Sequence, residues 1–175
     1  METHTEVEIY YGPRGTRFKE LILSVLKKSG ITDKYVKLLL SDKSLKEYSN
    51  AFTSKLADPD NNLEVFEQLG DVSANKFIVW YMHKRFPFLK TSDGVKVVAR
   101  LRINYSAKQK FYEIGNNLGF WEFISATVDE KSKRMKHLIE DTFEAFLGCT
   151  EYLLDNFFRP GVGYSIVHDI LESIF

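Results

Sequence analysis

The segment Leu63-Glu64-Val65-Phe66-Glu67-Gln68-Leu69-Gly70-Asp71 puts three carboxylates into a stretch that otherwise reads as buried helix. At about 100° per residue, Glu64, Glu67 and Asp71 fall within roughly 60° of one another. Phe66, Leu69, Ser73, Phe77 and Trp80 share a different arc, wide enough to face a core. Like charges this close resist ionising together unless a cation is present. A chain with such a helix must supply either a basic counter-surface or a metal ion.

The surrounding pattern is helical almost throughout. Residues 5–12 alternate weakly and read as a short extended arm before Gly12-Pro13. Phe18, Leu21, Ile22, Val25 and Leu26 recur at helical spacing up to Gly30. Thr32-Asp33 caps a short helix through Leu40, and a further helix is expected from Ser41 or Ser44 to about Leu56. Ala57 to Asn62 is a loop by its turn residues, and it delivers the chain into the long central helix, Leu63 to about Arg85, stopped by Pro87. Later helices are expected around Val95, Val98 and Leu101, from Ser106 to Leu118, from Met135 to Phe158, and from Gly163 to Ile174. Residues 128–134 read as a charged connection. No repeat or low-complexity tract interrupts the pattern, and the expected fold class is all-α.

The second long helix carries Asp141 and Glu144, three residues apart and on one face. If that face meets Glu67 and Asp71, the result is an all-oxygen pocket with excess negative charge. Such a pocket suits Mg²⁺ or Mn²⁺ rather than Zn²⁺, and suits phosphodiester hydrolysis. Acids on one helical face are also, and more commonly, its solvated side. Against that bland reading, both phrases sit in strongly apolar sequence. Each also carries a glycine (Gly70, Gly148), which weakens a helix unless a close backbone approach is wanted.

Composition sets outer bounds. With 44% hydrophobic residues in 175, the chain suits one domain with a sizeable core. A formal net charge of +0 gives no global basic field, so nucleic-acid contact would depend on local patches. The single cysteine, Cys149, excludes an internal disulfide framework and reads as a core residue. No leader is apparent, and the longest strongly apolar run, Phe77 to Met82, is too short to span a bilayer. A soluble intracellular protein without membrane attachment is expected.

Glu64 to Asp71 resembles the signature of the ribonuclease III family, whose common form is E-R-L-E-F-L-G-D. Asp141-Thr142-Phe143-Glu144-Ala145-Phe146-Leu147-Gly148 is similar to that family's second motif, D-x-F-E-A-x-x-G. The stretches Leu101 to Ser106, Phe111 to Ile114 and Leu118 to Phe120 resemble its middle helices, so the likeness runs from about residue 17 to 160. The resemblance implies a helical bundle forming a two-fold dimer that cleaves double-stranded RNA, leaving 5′-phosphate and 3′-hydroxyl ends. It implies Mg²⁺, with Mn²⁺ as substitute, held by Glu67, Asp71, Asp141 and Glu144 as catalytic acids. Glu64 would be an accessory acid near substrate and dimer interface. Gln68 stands where the family has an aromatic that plugs the partner subunit, and Val65 stands at its Arg.

The expected organisation is an arm over residues 1–16 and a ribonuclease III-like catalytic domain over 17–175, with no double-stranded-RNA-binding domain. Arg102, Lys133 and Arg134 lie in basic runs that could meet RNA phosphates, or be solvated charge. His137, one turn before Asp141, reads as a supporting or surface residue. Two other functions compete: an all-α nucleotide pyrophosphohydrolase, and a silent ribonuclease III-like module for RNA binding or dimerisation. The first should place its second acid pair nearer in sequence, and the second should have lost one of the four acids, of which none is missing. A ferritin-like di-iron protein is disfavoured because no Glu-x-x-His pair is present.

Overall fold

A computed structural model describes residues 6–103 and 106–175, with backbone only over 101–103 and at 106 and 107. Its helices are α1 (Thr16–Lys28), α2 (Asp33–Leu39), α3 (Asp42–Ala51), α4 (Glu64–Arg85), α5 (Ser92–Ile103), α6 (Ser106–Asn117), α7 (Val128–Lys133), α8 (Met135–Phe157) and α9 (Val162–Ile174). Two short strands, β1 (Ile9–Tyr10) and β2 (Ala126–Thr127), pair antiparallel with Ile9 opposite Thr127. The arm is thereby stitched to the loop that precedes α7.

The hub of the bundle is α8 rather than α4. From Leu138 to Thr150 every residue of α8 is buried except Asp141, which is half-buried. A helix apolar nearly all round needs neighbours on all sides, and α3, α4, α6 and α9 provide them. By contrast α4 keeps one face in solvent, with Val65, Gln68 and Val72 exposed. Phe66, Ser73 and Phe77 of α4 pack inward as its periodicity predicts, but Trp80 remains 37% exposed under the Lys84 ammonium. Aromatic rings link the layers: Phe18 meets Phe52 edge-on at 5.1 Å, Phe52 meets Phe120 at 4.8 Å, and Phe111 meets Phe143 at 5.2 Å.

Two segments depart from the sequence pattern. The third helix ends at Ala51, because Ser54 leaves it to donate its N–H to the Ser125 carbonyl at 2.8 Å. The charged stretch after Thr127 is a helix, not a connection. Thr127 accepts the Glu130 N–H while the Glu130 carboxylate accepts the Thr127 N–H, a reciprocal cap that starts α7. Glu130 is buried and also accepts the Ser54 hydroxyl at 2.7 Å. Arg14 locks the arm from the other side, donating to the Phe123 carbonyl and the Ser49 hydroxyl, both at 2.7 Å, and stacking over Phe18. No helix among the described residues is long and apolar enough to cross a membrane.

Candidate metal centre

The site is made where α4 and α8 cross. A Cβ on Gly70 would fall on the Glu144 carbonyl oxygen, and one on Gly148 would fall on the Phe66 carbonyl oxygen. Both glycines therefore allow backbone to meet backbone, which any larger residue would prevent. That approach turns the acid face of α4 onto the first half of α8. Carboxylate oxygens of Glu67, Asp141 and Glu144 come within 4.8 Å of one another. Glu144 is only 2% exposed, while Glu67 and Asp141 are half-buried.

The other two acids stand beside this trio. Asp71, one turn after Glu67, accepts from the Asn75 amide at 3.0 Å. Its charge is the largest electrostatic influence on Glu144. Glu64 is ion-paired with Lys55 at 3.0 Å. Its charge is thus already balanced, whereas the trio's is not.

Electrostatics follow from that crowding. Burial, and then the charge of Asp141, push Glu67 from 4.5 to about 7, with Lys108 opposing the rise. Burial, and then Asp71, push Glu144 from 4.5 to about 8, again opposed by Lys108. Asp141 is raised by burial and by Glu140, and held back by Arg134, Lys108 and His137. Carboxyls that must keep their protons near neutrality are short of positive charge.

Two clefts open onto the trio. One, of about 370 Å³, runs between α6 and α8 past Lys108, Arg134, Lys136, His137 and Asp141. The other, of about 360 Å³, lies between α4 and the α7–α8 junction, past Lys55, Glu64, Glu67 and Glu130. Arg134 and Asp141 border both. Lys133 is turned to Asp129, its ion-pair partner at 2.5 Å on the exposed face of α7. His137 is exposed, and the Arg102 side chain lies outside the described residues. Cys149 is fully buried in the core.

Sequence similarity bears on this geometry. The chain is 47% identical over 179 residues to a candidate ribonuclease 3 of Invertebrate iridescent virus 6, covering 95% of this chain and 61% of that protein. It is 40% identical over 147 residues to a candidate ribonuclease 3 of Frog virus 3, covering 83% of this chain and 39% of that one. Along most of its length the chain is similar to proteins of the ribonuclease III family. A ribonuclease 3 of Lactobacillus johnsonii is 30% identical over 126 residues, covering 70% of this chain and 52% of its own. The chain thus spans less than two thirds of the length of each of these relatives. No family model matches it. Two structures of the ribonuclease III nuclease domain from Campylobacter jejuni have the same fold, with TM-scores of 0.60 and 0.62. They are 22% and 24% identical to this chain, covering 86% and 89% of it and 92% of each of those chains.

Similarity to ribonuclease III implies a divalent metal ion, and the residues here fit one. The donors are all carboxylate oxygens, hard ligands that favour Mg²⁺, Mn²⁺ or Ca²⁺ over softer ions. A buried acid with its pKa driven up by like charges is also what a cation would relieve. Sequence reasoning had missed Lys108 on α6 and Glu140 on α8, which pair at 3.4 Å beside the trio. A signal for Glu140 was present: it lies inside the apolar run Leu138 to Leu147, where a solvated acid is out of place.

Proposed function

We propose that this chain is the nuclease domain of a divalent-metal-dependent endoribonuclease that hydrolyses phosphodiester bonds of double-stranded RNA to 5′-phosphate and 3′-hydroxyl ends. The observation that supports it most is the convergence of Glu67, Asp141 and Glu144, drawn from two motifs more than seventy residues apart, at the Gly70–Gly148 crossing. Relatives bearing the ribonuclease 3 name align along most of the chain.

In this reading Glu67, Asp141 and Glu144 hold Mg²⁺, or Mn²⁺ in its place, with Asp71 as the fourth acid beside Glu144. Held there, the ion would supply Lewis acidity for activating a water and for neutralising charge at the departing oxygen. Glu67 and Glu144 give up their protons on loading, so their negative charge is spent on the cation rather than on each other. Asn75 donates to the Asp71 carboxylate and steadies it one turn after Glu67. Glu64, held by Lys55, is the accessory acid at the mouth of the second cleft. Arg134 borders both clefts, where it can meet a backbone phosphate, and Lys133 would join it only by leaving its pair with Asp129.

Cutting both strands with a fixed stagger requires two sites at a fixed spacing, which a two-fold homodimer provides. The exposed face of α4, with Val65 at 75% and Val72 at 64%, is the proposed interface. A structure of the Campylobacter nuclease domain is described through a region involved in dimer formation. Gln68, exposed on the same face, cannot supply the family's aromatic anchor, which would weaken the dimer unless neighbouring aromatics such as Phe66 or Phe146 compensate, and both of those are buried. Residues 17–175 are the proposed catalytic unit, preceded by an arm over 1–16, of which 1–5 lie outside the described residues. One buried cysteine accords with a reducing intracellular setting.

Incubation of the protein with long duplex RNA, in Mg²⁺ or in EDTA, tests the proposal. Short duplex products in Mg²⁺ and intact RNA in EDTA are expected. Intact RNA under both conditions, with folded protein, would rule the activity out.

A further inference from the structure

We infer that Lys108, held in place by the buried carboxylate of Glu140, is a further substrate-contacting residue that grips a phosphate of the RNA strand next to the acid trio. The inference rests on the nuclease reading above, and names a residue that neither sequence motif contains. Glu140 presents a side chain only 7% exposed, yet its one ion-pair partner among the described residues is Lys108, at 3.4 Å. The lysine side chain itself is 59% exposed. A buried acid and an exposed cation form an asymmetric pair: the acid fixes the geometry, and the cation keeps contact with solvent.

The position of the ammonium is what matters. Lys108 opposes the rise of Glu67, of Asp141 and of Glu144, so its charge reaches all three members of the trio from one place. An ammonium has three donors, and Glu140 occupies one. The others open into the α6–α8 cleft, which Arg134, Lys136 and His137 also line. Apart from Glu140 and Asp141, those charged or titratable side chains can all donate, and a polyanionic backbone is the ligand that uses them together.

A purely structural ion pair would tie α6 to α8 without needing that cleft. The burial is also on the wrong partner for a surface bridge. Placing an extra acid within a residue of Asp141 adds repulsion to an already crowded site. That arrangement is sensible where it orients a cation for a second anion.

Lys108→Ala, Lys108→Arg and Glu140→Gln separate these cases. With duplex RNA in Mg²⁺, single-turnover cleavage by Lys108→Ala should fall by about 10- to 100-fold, the range of one charge-assisted phosphate contact. Lys108→Arg should recover most of that loss, and Glu140→Gln should fall between. In a Glu144→Gln background, duplex binding followed by fluorescence anisotropy should lose about one phosphate from its salt slope, a change of about 0.9 in log Kd against log salt, on adding Lys108→Ala. A merely structural lysine would lower the melting temperature and leave that slope alone. Wild-type cleavage rate and slope in Lys108→Ala would overturn this inference and leave the nuclease reading standing. No cleavage by the wild type would overturn both.

Discussion

Replacing Glu144 by Gln should make the metal-free protein more stable, although it removes a ligand from the site. The cost being relieved can be worked from the structure. Glu144 is 2% exposed and its carboxyl is raised from 4.5 to about 8. At pH 7 an unfolded glutamate is ionised, while the folded one is held protonated against its free preference. That difference amounts to about 3 kcal/mol, at ~1.4 kcal/mol for each pH unit between the free value and pH 7. Some of this survives in the unpaired amide that the substitution introduces and in the remaining pair of Glu67 and Asp141, which leaves about 2 kcal/mol of gain. In a chain of this size that is a rise in Tm of roughly 4–8 °C. The pH dependence is specific. Because the folded value is raised, the wild type carries no penalty below pH 4.5, and the penalty grows until pH passes about 8. Thermal melts in EDTA, followed by circular dichroism from pH 4 to 9, should therefore show variant and wild type converging at low pH and separating toward pH 8. A variant less stable than wild type at pH 8, or equally advantaged at pH 4, would refute the assignment of uncompensated charge to Glu144.

Other outcomes follow from the same geometry. Mn²⁺ binding measured by calorimetry in two buffers of different ionisation enthalpy should release roughly one to two protons per ion at pH 7, and affinity should climb from pH 6 to 8.5 as Glu67 and Glu144 lose their protons. Gly148→Ala should cost about 3 kcal/mol or more, since its methyl meets the Phe66 carbonyl, and the survivors should lose the Mn²⁺-induced rise in Tm. Sedimentation equilibrium should find a reversible dimer that dissociates at low micromolar concentration, with Gln68→Phe tightening it; a strict monomer that still cuts both strands with a regular stagger would contradict the proposed interface.

Much of the site was legible because its parts are local. Glu64-x-x-Glu67 and Asp141-x-x-Glu144 declare their faces through helical spacing, and the glycines at 70 and 148 declare a close approach by their expense in a helix. The long helices were legible for the same reason, being set by periodicity and stopped by Pro87 and Pro160. What escaped depended on partners distant in sequence. The early end of α3 is decided by Ser125, about seventy residues on. Lys108 acquires its meaning only when α6 folds against Glu140. The start of α7 was a different kind of miss: Thr127-x-x-Glu130 is a readable cap, outweighed by the run of charge that follows it. Trp80 shows the reverse error: it lies in the right arc of α4 but packs over Phe77 and His168 at the rim of the core, 37% exposed.

Three carboxylates sharing one cation are the central claim, and anomalous diffraction from crystals soaked in Mn²⁺ tests it directly. A strong anomalous peak bonded to oxygens of Glu67, Asp141 and Glu144, absent from the Glu144→Gln protein, is the expected result. Mn²⁺ found elsewhere on the surface, with Lys108 or a proton still balancing the trio at pH 8, would contradict it.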